Sequence, residues 1–369
     1  MADYATITDM KLLFDARYIR TDFHDGISRY SAELAHAVAD QHSDTTFIIY
    51  HEDQLQFLPV GAPSISLHSP TSWREPFSAF YLNKYRPDIV FSPMQTIGSL
   101  GRRFKLILTL HDMIYYRHRT PPRNLPWIVR TAWRLYHLSY WPQRLTLNGA
   151  DAVATVSRTS KHDIEAAKLT KRSVTVLPNA PQKLAKLIEP KKTADTTPTE
   201  LIYMGSFMPY KNVETLIEGM AFLPPSYTLH LLSRIKPDRQ AELERHISKG
   251  TNVVFHNGVS DTEYAELLAH NALLVTASFD EGYGLPIAEA LALGTPAVVS
   301  DLAIFHEVAG EGARYFNPND PQSFASHVAA ASSLAAYKQL SSSGEQHIAQ
   351  FAWTSSARTL LELCRSLTK

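Results

Sequence analysis

Residues 278–301 read SFDEGYGLPIAEALALGTPAVVSD, a polar and glycine-containing loop set between two apolar runs. The first run, residues 272–276, precedes the loop, and the second, residues 297–300, ends the stretch. Short apolar runs of this kind are typical of strands in a parallel sheet that is covered on both faces. Between them a helix is predicted to begin at Pro286, because proline suits the first turn of a helix. The stretch therefore predicts a strand, a loop, a helix and a strand of an α/β fold.

Two acids, Glu281 and Glu289, bracket the turn in this stretch. Glycines allow backbone N–H groups to approach a ligand closely, and the start of a helix favours an anion. Carboxylates in such a position can accept hydrogen bonds from the hydroxyls of a polyol or a sugar. The same residues would also suit an ordinary strand-loop-helix unit with surface acids, and the stretch alone leaves both interpretations open.

Length and composition limit the classes of protein that the chain can belong to. With 369 residues it is too long for one typical core and is predicted to form two domains. Its 36 basic and 36 acidic side chains give no net charge, which favours neither nucleic acid nor membrane binding by bulk electrostatics. The single cysteine, Cys364, excludes an intramolecular disulfide and a cysteine metal cluster, and it is compatible with the cytoplasm. Residues 1–11 lack the apolar core of a signal peptide, and no run approaches the roughly 20 apolar residues of a membrane span, so any membrane contact is expected to be peripheral.

The first half of the chain alternates predicted strands with helices. Gly26 begins a helical pattern, where its backbone could meet a ligand and Arg29 could meet a phosphate. His111 and Asp112 directly follow a predicted strand, at the edge where open α/β sheets place their ligands. The predicted strands are residues 11–14, 47–50, 87–91, 106–110, 152–156 and 174–177.

Residues 113–150 contain no acid, while arginines and aromatic residues alternate along them. One interpretation is a core helix whose arginines reach solvent along their apolar stems. The other is a surface for an anionic interface or an acceptor, because aromatic and basic side chains suit headgroups and phosphates. Nucleic acid is disfavoured by the neutral chain and by the absence of a recognisable module. The residues concerned are Arg117, Arg119, Arg123, Arg130, Arg134 and Arg144, with Trp127, Trp133, Tyr136, Tyr140 and Trp141.

The second half repeats the alternation after a segment at residues 181–200 that has the composition of a linker. Lys211 lies in the loop after the strand predicted at residues 201–204, where it could meet a phosphate or be solvated. Further strands are predicted at residues 228–232 and 253–255, and residues 260–263 resemble a capping box that would open the next helix. Two such runs predict two Rossmann-like doubly wound domains facing a cleft. The domains are expected at residues 1–182 and 200–350, with a final helix within 351–369 that could pack back on the first.

Taken in chain order, these segments resemble retaining glycosyltransferase family 4, whose members have the GT-B fold, and in particular bacterial α-mannosyltransferases. The paired acids Glu281 and Glu289 match the spacing of the family's paired-glutamate motif. The other matching segments are residues 15–17, 26–30, 110–112 and 150–157, with Gly205, Lys211 and Asn212, and together they span nearly the whole chain.

The resemblance implies a role for each candidate site residue. Glu281 would contact the hydroxyls of the donor sugar, and Glu289 would hold the ribose. Lys211 would neutralise the diphosphate charge as the leaving group departs, and His111 would lie by the sugar near the anomeric carbon. The remaining donor-binding positions implied are Gly26, Gly205, Ser206, Gly282, Tyr283, Gly284 and Leu285, and the acceptor-side positions are Arg29, Asp112, Arg117 and Arg119.

One departure from the family concerns the diphosphate. Many members carry arginine directly after the glycine that matches Gly205, and this chain has Ser206 there. Tyr210 likewise stands where a related subgroup often has arginine. Arg234, just after the next predicted strand, is the candidate substitute for the missing cation.

The reaction implied is transfer of a hexose, mannose from GDP-mannose, to a hydroxyl of a glycan or lipid-linked acceptor with retained configuration. The partners implied are the nucleotide-sugar donor, this acceptor and an anionic membrane, in the cytoplasm or at the inner face of the membrane. No cofactor is expected beyond the nucleotide-sugar substrate. The resemblance also implies metal-independent chemistry, which is usual for this fold, and the absence of an Asp-X-Asp sequence from the chain is consistent with it.

Several alternatives stay open at this point. A UDP-hexose could replace GDP-mannose, and Ser206 is compatible with a module that binds a nucleotide sugar without catalysis. A phosphorylase-like enzyme would need a lysine-bound pyridoxal phosphate. A dinucleotide oxidoreductase would fit the domains, but neither half has Gly-X-Gly-X-X-Gly after its first strand.

Overall fold

The computed structural model describes residues 10–22, 25–121, 127–189 and 197–369, with the side chains of residues 128, 129 and 132 left out. The chain divides into two compact units. The first comprises Met1–Asn179 and Ala352–Lys369, and the second comprises Ala180–Phe351. Three of the sequence predictions concern residues outside those described. They are the absence of a signal segment at the start, the role of Arg123 and the middle of the predicted linker.

The first unit is built on a parallel sheet with seven strands among its described residues, in the order β3-β2-β1-β4-β5-β6-β7. Its centre is fully buried, as apolar strands covered on both faces require. The six strands predicted for this half are confirmed, while β3 was not predicted. The strands are β1 Leu12–Asp15, β2 Thr45–Ile49, β3 Ser64–Ser66, β4 Ile89–Ser92, β5 Lys105–Thr109, β6 Ala152–Thr155 and β7 Val174–Val176.

Helices connect these strands, and the predicted helix at Gly26 is the first of them. Asp25 caps its start, where a carboxylate oxygen accepts a hydrogen bond from the Ser28 N–H at 2.9 Å. The helices are α1 Gly26–Ala39, α2 Ser78–Leu82, α3 Ile114–Arg117, α4 Trp127–Tyr136, α5 Trp141–Asn148 and α6 Arg158–Ala166.

The second unit is built on a parallel sheet with six strands within the described part of the chain, in the order β10-β9-β8-β11-β12-β13. The five strands predicted for this half are confirmed, while β13 was not predicted. The strands are β8 Glu200–Tyr203, β9 Thr228–Leu231, β10 Asn252–Phe255, β11 Ala272–Thr276, β12 Ala297–Ser300 and β13 Ala313–Phe316.

The helices of the second unit include the two that the sequence predicts most directly. The capping box of Ser260 and Glu263 is present, and α10 begins at Leu285 with Pro286 in its first turn. The helices are α7 Val213–Gly219, α8 Pro237–Glu244, α9 Asp261–Ala269, α10 Leu285–Ala292, α11 Ala303–Ala309, α12 Pro321–Ser332 and α13 Leu334–Ile348.

The last helix, α14 Trp353–Thr368, belongs to the first unit. Its Ser356 hydroxyl donates to the Pro178 carbonyl at 2.7 Å, and its Trp353 ring lies edge-on to Tyr30 at 5.7 Å between centroids. The buried face of α14 contacts α1, so the chain ends on the unit with which it begins. Of the helices that the structure describes, α14 included, none has the length and apolar character needed to cross a bilayer.

The strand order determines where a ligand site can form. In the second unit the order reverses between β8 and β11, which are hydrogen-bonded neighbours. The loops that leave the carboxyl ends of these two strands therefore lie side by side, and such reversal points are where open α/β sheets bind ligands. These loops contain Lys211 and Glu281, the two residues on which the sequence predictions for this unit depend.

Candidate active site

An ion pair joins the two loops at the reversal point of the second sheet. The Lys211 ammonium contacts Oε1 of Glu281, and the two side chains are 15% and 14% exposed. The ammonium also lies 5.2 Å from the centroid of the Tyr210 ring. Residues that are far apart in sequence, and that were predicted separately, are thus in direct contact. Burial from water strengthens such a pair, and both charges remain close to the edge where a ligand would enter.

Ser278 holds Glu281 from the other side. Its buried hydroxyl donates to the same oxygen, Oε1, at 3.0 Å, and it lies 3.1 Å from the Thr276 hydroxyl. With Oε1 engaged by both Lys211 and Ser278, Oε2 is the oxygen of Glu281 that is available to a ligand hydroxyl. No role was predicted for Ser278, although it lies three residues before Glu281 in the same loop.

Asn212 fixes the first loop against the second. Its amide nitrogen donates to the carbonyls of Ala277 at 3.1 Å and Pro318 at 2.7 Å. The residue has φ 50°, in the left-handed region that asparagine tolerates better than most side chains. The Phe279 N–H adds a backbone hydrogen bond to the Tyr210 carbonyl at 2.8 Å. These bonds determine the separation of Lys211 from the loop that carries Glu281.

Gly205, directly after β8, packs too closely on Tyr203 for a side chain. A Cβ at this position would lie 2.8 Å from the Tyr203 hydroxyl, which itself donates to the Ser206 carbonyl at 2.7 Å. Burial, together with the charge of Glu281, raises the pKa of Tyr203 well above its ordinary value, so the hydroxyl stays a donor. Glycine is needed here for packing, and its N–H donates to the Ser233 hydroxyl at 3.1 Å.

Gly284 ends the second loop and caps α10. Its φ of +98° lies in the region that only glycine adopts readily, and a Cβ there would approach the Phe305 ring to 3.1 Å. Tyr283 before it is buried, with its ring perpendicular to Phe351 at 6.2 Å, and burial raises the pKa of its hydroxyl. Gly282 is buried as well, and Leu285 is the first residue of α10.

Glu289 lies on α10, one turn after the helix begins, and is 4% exposed. Its buried position next to the helix start is compatible with the ribose contact that the resemblance implies. That role stays a prediction.

Ser206 and Arg234 are both exposed, each in the loop that follows its strand, β8 or β9. The stem of Arg234 lies across Gly258, where a Cβ would meet its Cγ at 2.9 Å. Within the described residues the Arg234 guanidinium makes no ion pair or hydrogen bond. Its substitution for the missing arginine at position 206 stays a prediction.

His111 follows β5 in the first unit, as predicted. Its Nε2 donates to the Pro93 carbonyl at 2.8 Å, since a carbonyl can only accept, and its ring lies edge-on to Tyr30 at 5.0 Å. Burial lowers the pKa of His111, while the Pro93 carbonyl and Asp25 oppose that shift. The imidazole is therefore neutral at pH 7, and its Nδ1 can accept a hydrogen bond.

The acceptor-side candidates make local contacts in the first unit. An Asp112 carboxylate oxygen accepts a hydrogen bond from the Ile114 N–H at 2.9 Å and so opens the short helix α3. Arg117 pairs with Asp163 at 2.7 Å, and the Arg119 Nε donates to the Tyr116 carbonyl at 3.2 Å. These contacts are local to α3 and its neighbours, and the acceptor-side role of the three side chains stays a prediction.

Gly26 and Arg29 lie on the first turn of α1, where Gly26 is exposed and Arg29 half-buried. Their contacts to a donor or an acceptor stay predictions.

Arg17, from the matching segment at residues 15–17, is fully buried in a closed ionic network. It donates to Asp15 at 2.8 Å and 3.0 Å and to Glu75 at 2.8 Å through two nitrogens. Ser92 and His68 complete the hydrogen bonds of the two carboxylates. Since the network is satisfied within the protein, it holds the end of β1 in place.

Comparison with solved structures places this fold among the GT-B glycosyltransferases. Sucrose-phosphate synthase from Thermosynechococcus elongatus superposes with a TM-score of 0.73 at 18% identity, covering 96% of this chain and 98% of the other. Anabaena HepE, solved in complex with UDP-glucose, gives a TM-score of 0.69 at 18% identity, covering 97% of this chain and 100% of the other. At such identities the likeness concerns the fold alone.

Two family models match consecutive parts of the chain. The Glycosyl transferase 4-like domain matches residues 25–180, and the model of Glycosyl transferases group 1 matches residues 185–347. The chain belongs to the glycosyltransferases that combine these two domains, which confirms the family that the sequence motifs indicate.

Curated relatives of the chain are bacterial mannosyltransferases. The O-antigen chain mannosyltransferase RfbU of Salmonella typhimurium is 30% identical over 189 residues, which is 50% of this chain and 52% of the relative. The O-antigen chain mannosyltransferase B of Escherichia coli is 27% identical over 159 residues, which is 41% of this chain and 42% of the relative. The chain thus spans about half the length of the curated relatives that it matches.

Proposed function

We propose that this chain is a retaining glycosyltransferase that transfers a hexose from a nucleotide diphosphate sugar to a hydroxyl of a glycan or glycolipid. The observation that carries the proposal is the Lys211–Glu281 ion pair at the reversal point of the second sheet. In a chain of this family, the pair places an ammonium group that could meet a diphosphate beside a carboxylate that could accept hydrogen bonds from sugar hydroxyls.

In the proposed reaction the bond between the anomeric carbon and the donor phosphate oxygen breaks, and negative charge develops on that phosphate. The Lys211 ammonium stabilises this charge, which is greater in the transition state than in the bound donor. Oε2 of Glu281 accepts from the sugar hydroxyls and orients the ring. The acceptor hydroxyl attacks from the face that the phosphate leaves and gives its proton to the departing phosphate oxygen, so the configuration is retained. No metal ion takes part in this scheme.

The remaining assignments rest on the resemblance to the family. Glu289 would hold the ribose, and the backbone of residues 282–285 would follow the sugar and diphosphate. His111, neutral with Nδ1 as an acceptor, would contact the sugar. Gly26, Arg29 and the acceptor-side candidates would serve the phosphate and the acceptor.

We propose mannose, carried by GDP, as the hexose, because the curated relatives at 27% and 30% identity are named mannosyltransferases. A UDP-hexose is the second candidate, since HepE, with a similar fold, was solved with UDP-glucose. The acceptor proposed is a lipid-linked or polysaccharide glycan, as the name O-antigen chain mannosyltransferase suggests for the relatives. The place of reaction would then be the cytoplasmic face of a membrane.

The donor is tested by a panel of GDP- and UDP-hexoses, with release of the nucleoside diphosphate followed for each. We expect turnover with GDP-mannose to exceed turnover with each UDP-sugar by at least about tenfold. A donor that leaves hydrogen-bonding groups of the site unpaired is discriminated against by that factor or more. Product mass spectrometry and anomeric NMR then test transfer and retention. Turnover with UDP-glucose alone would contradict the mannose assignment, and donor binding without any turnover would favour a non-catalytic module.

Arg234→Ala is expected to weaken binding of the nucleoside diphosphate by about tenfold, because a hydrogen bond to a charged group contributes about 1.5–3 kcal/mol and this side chain is exposed. Calorimetric titration of the diphosphate measures the effect. Arg245→Ala, which removes an exposed arginine of the same unit, is the matched control. If Arg234→Ala binds and turns over the donor like the native chain, Arg234 does not replace the arginine missing at position 206.

A further inference from the structure

Three aromatic rings of the first unit lie in series between the last helix and His111. The Trp353 ring, at the start of α14, lies 5.7 Å from the Tyr30 ring of α1, with 67° between the two planes. The Tyr30 ring lies 5.0 Å from the His111 imidazole, with 79° between the planes. Nearly perpendicular contacts at such distances are favourable for aromatic pairs. Tyr30 therefore joins α14 to the histidine that is the candidate contact of the donor sugar.

The middle ring, Tyr30, acts through its shape. Its side chain is fully buried, and within the described residues its hydroxyl makes no hydrogen bond. A buried hydroxyl without a partner is unfavourable, so the hydroxyl adds no stability that phenylalanine would lack. The ring alone accounts for the contact with His111.

The orientation of His111 depends on that ring. Its Nε2 donates to the Pro93 carbonyl at 2.8 Å, which is the one hydrogen bond that His111 makes within the described part of the chain. The χ2 torsion of a histidine has no sharp preference of its own, so a single hydrogen bond leaves the imidazole able to tilt. The Tyr30 ring packs against the imidazole and limits this tilt. Packing thus determines where Nδ1, the free acceptor of His111, points.

The outer ring, Trp353, is itself held in place. The Gln41 amide, just after α1, donates to the Thr354 carbonyl at 2.9 Å, and the Ser356 hydroxyl donates to the Pro178 carbonyl at 2.7 Å. Both bonds lie within three residues of Trp353, whose side chain is buried. They hold Trp353 against Tyr30 and so support the whole series from the end of the chain.

We propose that Tyr30 and Trp353 are positioning residues of the transfer reaction, which orient the His111 imidazole toward the donor sugar and do not themselves touch the substrate. The inference rests on the proposed function, in which His111 contacts the sugar. Rates depend steeply on the placement of groups beside the reacting atoms, so a small tilt of the imidazole should slow transfer. The last helix would then serve catalysis as well as stability.

Substitutions in the ring series test the effect on transfer. Tyr30→Leu should lower kcat by about tenfold and Trp353→Leu by about fivefold, with little change in the KM for the donor. Tyr30→Phe keeps the ring and should restore kcat to within about twofold of the native value. Leu360→Ala is the matched control, because it removes a buried side chain of α14 two turns from Trp353. It should lower the thermal stability and leave the kcat of the folded protein unchanged.

Titration of the His111 imidazole by NMR is a readout that needs no activity, and His111→Gln identifies its resonance among the 16 histidines. Burial holds the pKa of His111 below its ordinary value, while the Pro93 carbonyl and the Asp25 carboxylate oppose that shift. Loss of either ring admits water, so the pKa should rise in Tyr30→Leu and Trp353→Leu. A protonated Nδ1 cannot accept a hydrogen bond, so the acid limb of kcat should move to higher pH in the same two variants.

The two readouts separate the positioning role from the proposed function. An unchanged His111 titration in both leucine variants, or an equal shift in Leu360→Ala, would overturn the positioning role even if the chain transfers a hexose as proposed. Native kcat in His111→Gln would instead remove the sugar contact from the proposed function. It would also remove the catalytic purpose of the ring series, although the titration of His111 could still respond to Tyr30→Leu.

Discussion

Glu281→Gln is expected to lower the rate of hexose transfer by about a hundredfold or more, the scale seen when one preorganised electrostatic contact to the transition state is removed. The substitution keeps the shape of the side chain and replaces a carboxylate by an amide. Oε1 is held by Ser278 and Lys211, so the charge that is lost is the one that Oε2 would offer to the sugar hydroxyls. Steady-state kinetics with the preferred donor, over a range of donor concentrations, measures the loss.

The same substitution leaves the Lys211 ammonium partly buried without its counter-ion. Removal of one partner of a buried pair costs about 3–5 kcal/mol, and less for a pair that is 14% and 15% exposed. Thermal unfolding must therefore accompany the kinetics. The double variant Glu281→Gln and Lys211→Gln removes both charges and should recover stability while transfer stays lost. Glu266→Gln, an exposed acid of the same unit, is the control. Transfer within twofold of the native rate in a folded Glu281→Gln variant would contradict the assignment.

The strands could be predicted from the sequence wherever burial is complete. β5 and β11 are continuous apolar runs because both faces of a parallel sheet are covered. The two strands that were missed are edge strands. β3 has the sequence Ser-Ile-Ser, and β13 contains the exposed Arg314. The other two edge strands, β7 and β10, were predicted because their sequences, Val-Thr-Val and Asn-Val-Val-Phe, keep the β-branched residues that β3 and β13 largely lack.

The candidate site was predictable residue by residue but not as an arrangement. Lys211 and Glu281 follow different strands, and their contact depends on β8 and β11 being neighbours, which the order of strands along the chain does not reveal. Ser278 and Asn212 act through hydrogen bonds to atoms that only the folded loops bring near. The same limit applies to residues 113–150. Their acid-free, aromatic composition is visible in the sequence, but only the folded helices show which of their described side chains are packed and which are exposed.

Lys211→Gln is expected to reduce turnover by about a hundredfold, with a smaller loss, about tenfold, in affinity for the donor. The donor diphosphate already carries charge when it binds, but the charge that Lys211 meets grows as the bond to the anomeric carbon breaks. The loss should therefore be larger in kcat than in KM. Lys236→Gln, an exposed lysine directly before α8 in the same unit, is the matched control. A loss in kcat/KM with kcat unchanged, which is a rise in KM alone, would show that Lys211 only binds the donor.

A double-mutant cycle of Lys211 and Glu281 separates the two states in which this pair acts. In the donor-free chain the two side chains contact each other, so their effects on the free energy of unfolding should be coupled. When the donor is bound, Lys211 is proposed to turn to the diphosphate and Glu281 to the sugar, which would make their effects on transfer additive. If the effects of the two substitutions on the free energy of unfolding are coupled and their effects on turnover are additive, the donor replaces the ion pair with two separate contacts. Coupling of the same size in both measurements would mean that the pair stays intact during transfer, and Lys211 would then orient Glu281 without stabilising the leaving diphosphate.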